Sequence, residues 1–319
     1  MDDLEKAILI SFDETGSVDP TLKSQAVTYC QGIKETPTIS RVCLEKLNLS
    51  NLVQVQFWSL QTLHEVVRVK YSLFGPEDRT FIRKSVFSLA VDDDNGDYDG
   101  GSVRILDAPA FIKNKLAQVL VTLIYFEYPM VWSSVFVDML LHLNKGSAVI
   151  DMFCRILNSL DDELISLDYP RSPEEMGAAT RVKDAMRQQC NGQIVRAWYD
   201  IVYMYKNSNP ELCACVLDCM RRYVSWIDIG LVVNEVFIPF LFELMLVDGV
   251  SEQLRGASAG CILAVVSKKM DPRAKLMMLQ NLRVSRVFGL VTGVADSELV
   301  SRVAGLITGY ATEVLECYK

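Results

Sequence analysis

Residues 52–67 read LVQVQFWSLQTLHEVV, and their spacing decides the class of fold. Val53, Phe57, Leu60, Leu63 and Val67 follow at steps of four, three, three and four, which lines one face of an α-helix. The same period returns at Ile112, Leu116, Val119 and Leu123, where Leu120 and Ile124 widen the stripe. It recurs at Leu254, Ala257, Cys261 and Ala264, and again at Leu299, Val303, Leu306 and Tyr310. No convincing run alternates with the period of two that a half-buried strand needs. Stripes this wide suit helices packed on both sides, so the chain is predicted to be all-α.

The interruptions are regular too. Glu35-Thr36-Pro37, Phe74-Gly75-Pro76, Glu127-Tyr128-Pro129, Tyr169-Pro170, Asn209-Pro210 and Asp271-Pro272 each place proline at an expected helix boundary. Asp248-Gly249 and Asn144-Lys145-Gly146 add C-terminal stops. Pro239, inside the apolar run 231–246, is expected to kink a helix rather than end it. Respecting these stops gives helix pairs within 3–48, 51–90, 111–144, 148–207, 211–247 and 251–294, and one unpaired helix over 296–318. Units of about 35–45 residues fall close to the HEAT and armadillo period. Such a hairpin cannot bury its apolar face alone and must stack on its neighbours. The expected fold is a HEAT-repeat α-solenoid, a right-handed superhelix of stacked antiparallel helix pairs with an open C-terminal end. The expectation is a single solenoid over 1–319, with an acidic loop insertion at 91–108 beginning VDDDNGDYDGGSV. A second acidic loop is expected over 161–176, where Ser172 and Glu175 read as a capping box opening a long helix.

Composition narrows the function classes. Of 319 residues, half are hydrophobic, which excludes disorder as the dominant state. The 32 basic and 40 acidic side chains give a net charge of −8, which excludes a uniformly basic nucleic-acid binder. The acidic start MDDLEK lacks the positive region of a signal peptide, so secretion is not expected. Nine cysteines, among them Cys30, Cys43, Cys154, Cys190 and Cys261 within helical patterns, read as buried reduced thiols of a cytosolic or nuclear protein. Gln118 interrupts the apolar run 116–126, and Asn234, Glu235 and Glu243 interrupt 231–246, so no membrane span is expected.

Catalytic signatures are missing. The sequence holds no Walker-type loop, no Gly-x-Ser-x-Gly elbow and no His-Glu-x-x-His. Its two histidines, His64 and His142, read as ordinary helix-face residues. Cys213 and Cys215 are two apart on a helix, about 200° around its axis, so with Cys219 they read as buried thiols rather than a metal set. Asn95, Asp97, Asp99 and Gly100 fit four positions of a calcium loop, but Leu106 stands where the bidentate glutamate belongs. A solvated acidic connector is the better reading. No cofactor and no enzyme activity are expected.

The basic residues cluster on this acidic background. Lys268, Lys269, Arg273, Lys275, Arg283 and Arg286 form one patch, Arg181, Lys183, Arg187 and Arg196 a second, and Arg68, Lys70, Arg79, Arg83 and Lys84 a third. Spaced patches of this kind could track a phosphate backbone, though solvated helix faces explain any one of them alone. Aromatic residues do not interleave them in a pattern that suggests base stacking, and Trp58, Trp132, Trp198 and Trp226 read as core.

Longer stretches resemble a known family. The segment 52–63 with Ile82-Arg83-Lys84 resembles the second HEAT repeat of importin-β-type transport receptors, and 111–120 with Tyr128-Pro129-Met130-Val131-Trp132 resembles the third repeat of the exportin branch. Importin-β-like and exportin-1-like repeats thus cover 51–144. MDDLEKAI at the start, Leu160-Asp161-Asp162-Glu163-Leu164, Pro173-Glu174-Glu175 and Arg181-Val182-Lys183-Asp184-Ala185-Met186-Arg187 resemble the tRNA-exporting members of plants. The resemblance implies a nuclear export receptor that binds Ran-GTP and tRNA cooperatively and shuttles between nucleus and cytoplasm through contacts with nuclear pore proteins. GTP would be held by Ran and not by this chain. Such receptors run to about twenty repeats, so the chain would be about the front third. Second helices line the inner face in that family and the first repeats cradle Ran. That assigns Arg79, Arg83, Lys84, Asp138 and His142 to Ran, and Lys183, Arg187, Arg196, Lys268, Lys269, Arg273 and Lys275 to tRNA. The competing reading is a HEAT scaffold or protein-cargo receptor without RNA binding.

Overall fold

A computed structural model describes residues 1–91, 105–292 and 297–318. Among them every regular element is helical, as the periodicity predicts. The chain divides into two compact units, Met1–Val182 and Lys183–Lys319. The first holds α1 (Asp3–Ser11), α2 (Pro20–Lys34), α3 (Ile39–Leu49), α4 (Val53–Lys70), α5 (Pro76–Val91), α6 (Ala110–Glu127), α7 (Val135–His142) and α8 (Ser147–Leu160). The unit boundary falls within α9 (Pro173–Gln189). The second unit continues with α10 (Asn191–Tyr205), α11 (Pro210–Tyr223), α12 (Phe237–Leu246), α13 (Glu252–Val266), α14 (Pro272–Leu282) and α15 (Ser297–Cys317).

Local chemistry explains the boundaries. Asp19, Asn209 and Asp271 cap α2, α11 and α14 by accepting backbone N–H bonds, and each precedes a proline in the first turn, where its missing N–H costs nothing. Ser172 and Glu175 form the expected capping box: the Ser172 amide donates to Glu175 Oε2 at 2.8 Å and the Glu175 amide to Ser172 Oγ at 3.2 Å. At the start of the chain Asp2 and Glu5 close another box, and Lys46 pairs with Asp2.

Within the first unit α4, α6 and α8 pack side by side, and α3 and α5 sit against α4 and α6. Within the second, α11, α13 and α15 form a row while α10, α12 and α14 each pack on the next member of it. One set of polar ties between neighbouring repeats has a common reach along the chain. Arg41–Asp78, Lys113–Asp151, Arg187–Trp226, Lys206–Glu243, Lys268–Val224 and Lys275–Glu313 join residues 37–44 positions apart. This is the repeat length anticipated from the sequence.

Four expectations need correction. The segments 3–48 and 148–207 each contain three helices rather than two, because Asp19-Pro20 and the Ser172 capping box start α2 and α9 as additional elements. The expected loop at 161–176 begins as a π-helical turn, Asp161–Ile165, held by burial of Leu164 and Ile165. Irregular backbone is confined to 166–172. Pro239 makes no kink, because it is the third residue of α12, whose start is fixed by Asn234 Oδ1 accepting from the amides of Val236 and Phe237. The calcium-loop positions 95–100, and the 91–108 insertion from 92 to 104, lie outside the described residues. Of that motif Leu106 is described, and it is buried.

Seven of the eight cysteines singled out above are buried as expected, while Cys215 corrects the expectation of a buried thiol: two positions from Cys213 on α11, it falls on the opposite, exposed face. No cluster of metal-ligating side chains occurs among the described residues, and none of the described helices is long and apolar enough to cross a membrane. Trp58, Trp132 and Trp198 are core residues, and Trp226 is half-buried.

The row α11–α13–α15 tolerates little added volume. A Cβ placed on Gly309 of α15 would come within 2.5 Å of Leu263 Cδ1 on α13. Gly309→Val is expected to destabilise by about 1–3 kcal/mol, since the branched side chain cannot avoid the contact. Gly309→Ala should cost less, because the leucine methyl can rotate away and alanine favours the helix. Denaturant midpoints of the two variants check the order.

Candidate functional site

On α5 the assigned residues have different fates. Arg83 donates from Nη1 to Glu127 Oε2 at 2.8 Å, and Tyr71 donates its hydroxyl to Glu127 Oε1 at 2.7 Å. Both Tyr71 and Glu127 are buried, and the Arg83 guanidinium lies 5.9 Å from the Trp132 ring centre. Burial, reinforced by the Glu127 bond, pushes the Tyr71 hydroxyl upward, so it stays a donor. Arg79 donates to the Ser72 carbonyl at 2.6 Å and sits over Tyr71. Lys84 is exposed. On α7, Asp138 accepts from Ser134 Oγ at 2.6 Å, and His142 Nδ1 lies 2.7 Å from the Asp138 carbonyl. Its ring meets Phe87 edge-on. Of the five Ran-assigned residues, then, Lys84 is the exposed one and Arg83 is committed to the interior.

In the second unit two basic patches meet at one turn. Lys268 Nζ donates to the carbonyls of Val224, Ser225 and Ile227 at 2.8–3.0 Å. Arg187 donates from Nε and Nη2 to the carbonyl between them, that of Trp226. Every carbonyl from 224 to 227 is therefore satisfied by a cation, at the negative end of α11. Burial and the nearby Arg187 charge both lower the Lys268 pKa. Lys275 is buried against Glu313. Lys269, Arg273 and Arg196 are exposed and Lys183 is half-buried; Arg196 faces Asp200 at 3.7 Å.

Aromatic interleaving, absent from the sequence reading, exists on α10. Arg196, Tyr199, Tyr203 and Lys206 share one helix face at spacings of three, four and three. The tyrosine rings are stacked, 6.0 Å apart and 16° from parallel, and Tyr203 is exposed. Lys206 Nζ lies 5.4 Å from the Tyr203 ring centre and pairs with Glu243. The spacing is present in the sequence, but its i, i+3, i+7, i+10 pattern is interleaved with three apolar residues of the core stripe, Trp198, Ile201 and Val202, which mask it.

Residues 109–262 match the Exportin 1-like protein family. The whole chain aligns with Exportin-T of Arabidopsis thaliana at 67% identity, covering 32% of that protein, and with Exportin-T of Oryza sativa at 42%, covering 31%. Exportin-T of Homo sapiens is 31% identical over 83% of the chain and 27% of its own length. The chain belongs to the exportin-T family. It spans about a third of the length of the plant relatives.

One further feature of this exportin-family chain was not singled out from the sequence. A cleft of about 780 Å³ in the first unit is lined by α4, α6 and the 162–175 segment. Lys115 Nζ donates to His64 Nδ1 at 2.9 Å, so His64 Nε2–H donates to Thr122 Oγ1 at 3.0 Å, whose hydroxyl donates to the Gln118 carbonyl. Burial, with the charges of Lys115 and Arg68, pushes the His64 pKa down from 6.5 to about 4. Burial lowers the Lys115 pKa and raises that of Glu163. Between these two histidine values the unfolded chain binds a proton that the native state does not, so stability is full above about pH 6.5 and falls toward pH 4. With the partial exposure of the ring discounted, the loss is about 1–2 kcal/mol. Melting curves from pH 7.5 to 4.5 should be flatter for His64→Gln than for the parent; equal slopes would remove His64 as the cause.

Proposed function

We propose that this chain is the Ran-engaging part of a nuclear export receptor for tRNA, one that binds Ran-GTP and tRNA cooperatively, contacts nuclear pore proteins and shuttles between nucleus and cytoplasm. The observation that carries the reading is the 67% identity to an Exportin-T along the entire chain. The exposed cations Lys84, Arg196, Lys269 and Arg273 and the stacked tyrosines of α10 support it, because RNA binding needs phosphate neutralisation and gains from aromatic faces. The receptor performs no chemical step of its own in this reading. Direction comes from Ran's two nucleotide states, and the coupling between Ran and cargo is reciprocal.

The chain should retain Ran-GTP in preference to Ran-GDP on an affinity resin, and Lys84→Glu should weaken that retention without changing the melting temperature. Equal retention of both nucleotide states would end the reading. Transfer RNA binding by this chain alone should be weak and should fall steeply with salt.

A protein-only scaffold remains the second reading. It is favoured by the internal engagement of Arg83, Lys268 and Lys275, which removes three of the basic side chains from any phosphate. Salt-insensitive binding of a protein cargo, with no measurable tRNA binding, would support it.

A further inference from the structure

The seven residues 166–172, SLDYPRS, are irregular and separate the π-helical turn from α9. They end on Ser172-Pro173, one of two places where serine or threonine precedes proline in this sequence. The other, Thr36-Pro37, has a half-buried threonine whose hydroxyl donates to the Ile33 carbonyl at 2.8 Å. Ser172, Pro173 and Glu174 are all exposed, and the Ser172 hydroxyl is tied only within the capping box, accepting from the Glu175 amide at 3.2 Å and bonding the Glu175 carboxylate. A kinase active site could therefore reach Ser172 by fraying the first turn of α9, which begins at Pro173.

The surroundings can also receive a phosphate. Arg171 is adjacent in the chain; it donates to the carbonyls of Glu163 and Asp162 and keeps its Nε without a partner among the described residues. Arg68, on the last turn of α4, lines the same cleft as Arg171, Glu174 and Glu175, is exposed, and makes no hydrogen bond among the described residues. Both guanidinium groups lie close enough to act electrostatically on the Glu175 carboxylate, which is itself bonded to the Ser172 amide. A group attached to Ser172 Oγ would stand at the N-terminal amides of α9, next to a cleft wall that carries both cations. Glu174 and Glu175 oppose it. A phosphate carries about twice the charge of a carboxylate near neutral pH and would displace Glu175 from the cap rather than sit beside it.

We propose that Ser172 is a phosphorylation site for a proline-directed serine/threonine kinase, and that Arg68 and Arg171 bind the phosphate, fastening 166–172 onto α4. In the transfer, Ser172 Oγ attacks the γ-phosphorus of MgATP and the bond from that phosphorus to the β,γ-bridging oxygen breaks. ADP leaves, and the hydroxyl proton passes to the kinase's base. Tyr169 and Arg171 of the fastened segment line the cleft that holds His64, Lys115 and Glu163, so the modification would stiffen that wall of the cleft.

The test uses the full chain, MgATP and a proline-directed kinase of the MAP-kinase type. Peptide mass spectrometry should find one phosphate, on Ser172, absent in Ser172→Ala and sharply reduced in Pro173→Ala. Hydrogen exchange across 166–171 should slow by a factor of about three or more in the phosphorylated protein, and this protection should vanish in Arg68→Ala. A phosphate on Thr36 in place of Ser172, or none, would overturn the site. Unchanged or faster exchange after phosphorylation, or protection that survives Arg68→Ala, would overturn the proposed receptor.

Discussion

Replacing Glu127 with alanine is expected to destabilise the first unit by about 3–5 kcal/mol, the largest effect of any polar substitution in it. Glu127 is buried at the end of α6 and serves two donors at once, Tyr71 Oη at 2.7 Å and Arg83 Nη1 at 2.8 Å. Without it the guanidinium keeps its charge under the Trp132 ring with no counterion, and the buried Tyr71 hydroxyl keeps a proton with nowhere to place it. The cost lies in what is left behind more than in the lost attraction. A triple variant, Tyr71→Phe, Arg83→Met, Glu127→Leu, should therefore recover most of the loss. Guanidinium unfolding of the two proteins checks this, and a loss below about 1 kcal/mol for the single variant would mean that water reaches the pair. The same geometry separates two neighbours in the Ran assignment. Reversal of charge at Arg83 would lower binding by unfolding its surroundings, whereas Lys84 can be reversed as a clean test of contact.

Lys268→Ala is expected to cost about 2–3 kcal/mol, because three carbonyls at the end of α11 lose a charged donor together. Arg187 retains only the Trp226 carbonyl and cannot cover the others. Lys268→Arg should not restore the parent, since a planar fork cannot point three donors at three carbonyls arranged about one nitrogen. Thermal melts give the stability. Transfer RNA titrations at two salt concentrations give the other half: Lys269→Glu and Arg273→Glu should each flatten the salt dependence by about one phosphate contact, and Lys268→Ala should leave the slope unchanged in the folded protein. A drop in slope for Lys268→Ala would place that side chain among the phosphate contacts proposed for tRNA.

The helical class, the repeat length and the capping box before α9 were all legible because each rests on neighbours in the chain: Val53 to Val67 for the stripe, Asp271-Pro272 for a start, Ser172 with Glu175 for the cap. The surface roles were not. Arg83 and Lys84 are adjacent, yet one turns inward to Glu127, 44 positions away, and the other outward. Nothing in the local sequence distinguishes a lysine that neutralises a helix end, such as Lys268, from one free for a phosphate, such as Lys269. Pro239 differs from its expected role for a related reason. An apolar run continuous from 231 to 246 hides the Asn234 cap that restarts the helix inside it.

The ties that reach 37–44 residues also bear on when this chain can acquire its structure during synthesis. Each newly made repeat finds its partner in the one just completed, so loop closure is short and similar at every step. At a ribosomal rate of about 5–20 residues per second, the wait for the next partner is a few seconds. Structure can then advance from the N-terminus in the direction of translation, with only the latest repeat exposing an uncovered apolar flank. A slow codon run would be harmless just after a tie such as Lys206–Glu243 has closed, and hazardous halfway to it.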